Sequence, residues 1–206
     1  MKEYRLQISL GHNPEQEAGV DEAGRGCLAG PVFAAAVVLP ANAPDALLSK
    51  LDDSKKLSLS LRSELRIMIE QCAVAWAVAM ASHDEIDQIN ILNASWLAMH
   101  RAIEKLTGRP KILLIDGNRF KAFDGIEHQC IVKGDGRYFS IAAASVLAKT
   151  WRDEFMLKQH TIYPCYGWER NMGYPTKQHR EAIQIHGLCP IHRRSFNSGI
   201  QTKLEL

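Results

Sequence analysis

The stretch AGVDEAGRGCLAGPV, Ala18 to Val32, decides the reading of this chain. It sets two adjacent carboxylates, Asp21 and Glu22, directly before a turn carrying Gly24, Gly26 and Gly30. Gly19 to Ala23, which holds both acids, and the run VFAAAVVL after the turn, Val32 to Leu39, read as strands. So short a connection leaves no room for a helical crossover, so the two strands form an antiparallel hairpin. Adjacent strand residues point to opposite faces, so one acid must face the core. An unpaired buried charge is costly, and Asp21 and Glu22 therefore require a metal or a basic partner.

Further strands are expected over Ala73–Met80, Lys111–Ile115 and His128–Lys133, and helices over Ser60–Cys72, Ile91–Leu106, Ser140–Lys158 and Thr176–His186. This order implies an α/β fold, a mixed β-sheet flanked by helices with a helical C-terminal part. It is read as one domain, 1–206, with a catalytic core over about 18–160 and the C-terminal helical part over about 161–200. Asp116 ends the run KILLIDG, at the strand edge where open α/β sheets build their sites. If that strand lies beside the first, Asp116 comes close to Asp21 and Glu22. Asp135 sits between Gly134 and Gly136, just before the helix beginning at Ser140. Taken singly, Asp116 and Asp135 also read as turn formers.

A chain of 206 residues, 46% hydrophobic and 23% charged, is ordinary for a globular protein with one full core. No apolar run approaches the ~20 residues needed to span a bilayer, and the N-terminus lacks a secretory leader pattern. The five cysteines are scattered with no C-x-x-C pair, which argues against a disulfide framework or structural zinc and for a cytoplasmic location. The net charge of +2 hides a basic segment, Lys149 to Arg194. Its cations are Lys149, Arg152, Lys158, Arg170, Lys177, Arg180, Arg193 and Arg194, against Asp153, Glu154, Glu169 and Glu181. That bias suits a polyanion partner, although an ordinary solvated surface explains it equally well.

Three or four carboxylates with no nearby histidine or cysteine suit Mg²⁺ or Mn²⁺. Two such ions roughly 3.5–4 Å apart can clamp a phosphodiester undergoing in-line attack. The loop GRGCLAG is neither a Walker A nor a dinucleotide fingerprint, because it lacks the lysine pattern and joins two strands. Its glycines would let backbone amides approach a sugar or phosphate, and Arg25 adds a charge-assisted donor. Asp53 to Ser58, with two lysines, reads as a phosphate contact or as a simple helix lead-in.

In this order, GVDEAGRG, DSKKLS, INILNAS, LLIDG, KGDGRYFSIAAASVLAK and GYPTKQH resemble the motif series of the bacterial type 2 ribonucleases H, the ribonuclease HII family. The resemblance covers about residues 18 to 196. It implies a ribonuclease H-like fold and hydrolysis of the RNA strand of RNA–DNA hybrids. It also implies incision 5′ of ribonucleotides embedded in duplex DNA, with 3′-hydroxyl and 5′-phosphate products. Asp21, Glu22, Asp116 and Asp135 correspond to the family's catalytic, metal-binding acids, served by two Mg²⁺ or Mn²⁺ ions. Gly24, Arg25 and Gly26 correspond to the loop that reads the ribose 2′-hydroxyl and adjoining phosphate, and Tyr174 to the tyrosine stacked on the deoxyribose at the junction. From the residues alone, Tyr174 reads more simply as a partly buried turn tyrosine.

Asp153, four residues after Lys149, rivals Asp135 for the fourth position, but an exposed i,i+4 pair accounts for it. Departures from the family are Cys27 where proline is common, which would loosen the turn or expose a thiol, Trp168 for phenylalanine, and Glu169–Met172 for a more basic run. A monomer without a membrane partner is expected. The rival readings are a non-catalytic hybrid-binding module and a metal-dependent nuclease of the same fold with another substrate. Whether the C-terminal Leu204–Leu206 tail docks on a partner such as a replication clamp is left open.

Overall fold

The computed structural model describes residues 6–52 and 57–198. The Asp53–Lys56 loop and the C-terminal tail lie outside the described residues.

β1 (Glu17–Ala23) and β2 (Val32–Val38) form the expected antiparallel hairpin, and β3 (Ala75–Ala81) extends it as an antiparallel edge. On the other side β1 pairs in parallel with β4 (Ile112–Asp116), and β4 with β5 (Glu127–Ile131). The order β3-β2-β1-β4-β5 makes a mixed sheet with β1 at its centre. The short α1 (Asp45–Leu48) and α2 (Leu59–Cys72) lie between β2 and β3. They are followed by α3 (His83–Glu104) and, after β5, by α4 (Phe139–Ile162). α5 (Trp168–Asn171) and α6 (Lys177–His186) complete the chain.

Strand alternation divides the core in two. Ala18, Val20, Ala34, Ala36 and Ile115 pack with Ile86, Ala98 and Ile103 of α3. Ala35 and Val37 pack on the other face with Leu65 and Ile69 of α2 and with Ala143 and Leu147 of α4. The run of small residues lets α4 approach β1 closely. A Cβ on Gly19 would come within 2.1 Å of the Ser140 carbonyl carbon, so only glycine fits there.

α3 starts eight residues earlier than its apolar spacing predicts. Ser82 and Glu85 form a reciprocal capping box, and the helix then kinks at Asn90, whose φ is 65°. The apolar periodicity marks only the straight part beyond the kink. α2 and α6 begin at side-chain caps from Ser58 and Thr176.

A third core joins Leu28 and Ala29, from the loop after β1, to Met156 of α4 and to Tyr166, Trp168, Ala182 and Ile183. A buried polar chain runs through it. His179 Nδ1 lies 2.9 Å from the Tyr174 carbonyl and must donate to it, leaving Nε2 to accept from Trp168 Nε1, 3.0 Å away. His192 Nε2, 3.1 Å from that same atom, must then carry a proton, while its Nδ1 accepts from the Cys189 amide. Both rings are thereby neutral, and burial followed by the neighbouring His179 holds His192 down to about 4. The folded protein binds fewer protons than the unfolded chain between that value and about 6.5, so His192 withdraws stability as the pH falls through this window. Between about pH 7 and about pH 4.5, urea denaturation should show a larger loss of stability for the wild type than for His192→Gln.

Candidate active site

The parallel register decides what the acids do to each other. Val20 lies opposite Ile115, so the next residues, Asp21 and Asp116, stand side by side at the ends of central strands. Asp21 is opposite Ala35 on β2, on the face covered by α4, and Glu22 is opposite Ala34 on the other. Asp21 is almost fully buried, and its carboxyl is pushed well above the usual range, first by burial and then by Glu22 and Asp116. A hydrogen bond with Ser145 and the Glu22 amide, 2.7 Å from Oδ1, oppose the shift. Glu22 is also raised, chiefly by burial, and Arg25 Nη1 draws it back through a 3.0 Å ion pair. Asp116 accepts the Gly134 amide at 2.6 Å.

These acids share one concavity of about 250 Å³ with Gly24, Arg25, Gly26, Ser145, Lys149 and Tyr174. Gly24 has φ +94°, and a Cβ there would fall 2.0 Å from Arg152 Nε, so both backbone and packing require glycine. Tyr174 is partly exposed at the rim, with Lys149 Nζ and the Arg152 guanidinium each 5.6 Å from its ring centroid.

The two rivals for the fourth acid both lie outside the lining of this concavity. Asp135 is buried in the 3-10 turn Gly134–Gly136, one residue from the amide that Asp116 accepts. Asp153 makes the expected pair with Lys149, at 2.7 Å, and lies 3.9 Å from Arg62. The pair is buried on the Asp153 side rather than exposed, because α4 packs against α2 there.

Other expectations need correction. Cys27 is fully buried, so its thiol is not exposed. Of the eight cations in the basic segment, Arg152 and Arg193 are also fully buried, and Lys158, Arg170 and Lys177 pair with acids. A count of charges along the chain therefore overstates the basic surface. Sequence reading also passed over Ser145, one helical turn before Lys149 on the same face of α4. It counted Arg152 and Arg193 with the basic segment but missed their burial, for want of any local pattern that separates a buried cation from a solvated one.

A sequence model of the ribonuclease HII family matches residues 18–198. The chain belongs to the ribonuclease HII family. Ribonuclease HII of Bacteroides fragilis is 60% identical over 190 residues, covering 92% of this chain and 93% of the relative. Among solved structures, ribonuclease H2 from Pyrococcus horikoshii OT3 superposes with a TM-score of 0.75 at 25% identity, covering 88% of this chain and 94% of that one. Ribonuclease HII of Archaeoglobus fulgidus, solved in complex with PCNA, gives 0.72 at 25% identity, covering 91% and 98%. Membership makes the chain a metal-dependent endoribonuclease of the ribonuclease H type. Among the described residues no helix is long and apolar enough to cross a membrane.

The ribonuclease HII site suits a hard divalent cation: its donors are oxygens, and Asp21 is a buried carboxyl pressed by two like charges. Among the described residues no three acidic, histidine or cysteine side chains already form a finished cage. Glu22 is turned onto Arg25 and would have to swing away from it. The apposed carboxyls therefore cost the metal-free protein stability as the pH rises above 3.8, the ordinary carboxyl value, because the unfolded chain ionises there and the folded Asp21 resists. In EDTA at about pH 8, Asp21→Asn should raise the melting temperature by about 2–4 °C for each kcal/mol of repulsion removed, measured by calorimetry. The same substitution should diminish the further rise that Mn²⁺ produces in the wild type.

Proposed function

We propose that this ribonuclease HII incises duplex DNA on the 5′ side of an embedded ribonucleotide and cuts the RNA strand of RNA–DNA hybrids, leaving 3′-hydroxyl and 5′-phosphate ends. The observation that carries the reading is the shared concavity, in which Asp21, Glu22 and Asp116 meet Gly24–Gly26 and Tyr174. Cutting and ribose-reading parts thus face the same small volume.

Asp21, Glu22 and Asp116 would hold Mg²⁺ or Mn²⁺, with Asp135 as the fourth acid. Bound there as a pair, the ions supply Lewis acidity to the phosphate and lower the pKa of the attacking water. The chain's own residues do the rest. The Ser145 hydroxyl and the Gly134 amide orient the Asp21 and Asp116 carboxylates. Arg25, once its pair with Glu22 opens, would donate to a phosphate oxygen. The amides of the Gly24–Gly26 turn bind the 2′-hydroxyl, the group that separates a ribonucleotide from DNA. Tyr174 offers its ring to the neighbouring deoxyribose, with Lys149 beside it to meet the backbone. The helical C-terminal part, about residues 161–200, carries Tyr174 and acts as the substrate-binding piece.

The decisive assay uses a labelled duplex with one internal ribonucleotide and Mg²⁺, Mn²⁺ or EDTA. Cleavage 5′ of that ribonucleotide with either metal and none in EDTA is the expected result; absence of metal-dependent cleavage there overturns the reading. Asp116→Asn should lower kcat by about a hundredfold or more. Asp135→Asn should reduce turnover far more than Asp153→Asn, and the reverse order would reassign the fourth acid.

A further inference from the structure

Arg152 and Arg193 are fully buried cations, and among the described residues neither lies within ion-pair distance of a carboxylate. Their charge is met by backbone carbonyls, all but one of them in the loop that follows β1. Arg193 Nη2 donates to the Gly24 carbonyl at 2.7 Å, Nη1 to Arg25 at 2.8 Å and Nε to Gly30 at 2.9 Å. Its own amide donates to the Leu28 carbonyl at 2.8 Å, and Gly30 donates back to Ile191 at 2.8 Å. Arg152 holds Ala29 and Pro31 of the same loop and reaches across to the Met172 carbonyl, two residues before Tyr174.

The peptide group converts these contacts into a direction. In a trans peptide the carbonyl and the following N–H point opposite ways. When Arg193 draws the Gly24 carbonyl inward, it turns the Arg25 N–H outward. Through the Arg25 carbonyl it does the same for the Gly26 N–H. Among the described residues neither amide has a protein acceptor, and both residues line the concavity that holds the acids. Only a planar fork with several donors can take consecutive carbonyls at once; a lysine ammonium on its flexible stem cannot reproduce that geometry.

We propose that Arg193 is the positioning residue of ribose recognition: from inside the protein it aims the Arg25 and Gly26 amides at the 2′-hydroxyl, without touching substrate. This rests on the function proposed above. A cation that only stabilised the fold would weaken every property of the enzyme together. One that aims two donors controls the preference for a ribonucleotide over DNA.

The test compares the full-length wild type with Arg193→Gln and Arg193→Lys in Ca²⁺. It reads the Kd for a duplex with one internal ribonucleotide and for the same duplex in DNA alone, with Mn²⁺ affinity measured separately by calorimetry. In Arg193→Gln the ratio of the two Kd values should collapse by about tenfold, the worth of a lost charge-assisted hydrogen bond, while DNA and Mn²⁺ affinities stay within about twofold. Arg193→Lys, which keeps the cation and fewer donors, should lie between, and it decides the matter if the glutamine variant does not fold. Undiminished discrimination in either folded variant, or a parallel fall of all three affinities, overturns the proposal. A wild type that neither discriminates nor cleaves would instead fail the functional reading itself.

Discussion

The parallel pairing of β1 with β4 forces two carboxyls, Asp21 and Asp116, to neighbouring positions at the end of a sheet covered by α4. Nothing about folding favours that juxtaposition. Burial and like charge both oppose ionisation of Asp21, and the protein offsets the cost with single hydrogen bonds from Ser145, Gly134 and the Glu22 amide. The hydrophobic packing on both faces of β1 keeps the acids where their own electrostatics would drive them apart. Such stored repulsion weakens the metal-free fold, and a divalent cation held there as proposed would relieve it.

One helix relates this centre to everything else. The small N-terminal residues of α4 lie on Gly19, Ser145 reaches Asp21, and Lys149 faces Tyr174. Farther along, Arg152 grips the loop after β1, and Met156 enters the core shared with α5 and α6. A rigid rod of regular pitch thus spaces the acids from the loop after β1. The C-terminal segment closes the arrangement from the opposite side, through Arg193 and the bridge between Ala29 and His192. The loop after β1 and the C-terminal part form one packed unit, with Leu28 and Ala29 belonging to its core.

Neutral polar chemistry holds that unit together where the sequence looks merely basic. The His179–His192–Trp168 chain has one consistent proton arrangement, and it leaves no acceptor for an added proton on His179. Trp168 thereby has a role beyond bulk: its indole N–H donates to the bare nitrogen of His179. Cys27 likewise fills a sealed site beneath the loop.

Much of this was legible from residue order alone. The hairpin, the strand ending in Asp116, the small-residue start of α4 and the acids Asp21 and Glu22 follow from alternation, turn chemistry and the intolerance of cores for bare charge. These are local rules, and local order is enough to apply them. Which strands become neighbours is not local. Only the tertiary structure set Asp21 beside Asp116, began α3 at a capping box upstream of its kink, and buried the Asp153 side of its pair with Lys149. Only it sent Arg193 back across the molecule to the carbonyls of Gly24 and Arg25. A guanidinium carries the same charge in solvent as in a core, and nothing in its immediate sequence says which carbonyls the fold will bring to it.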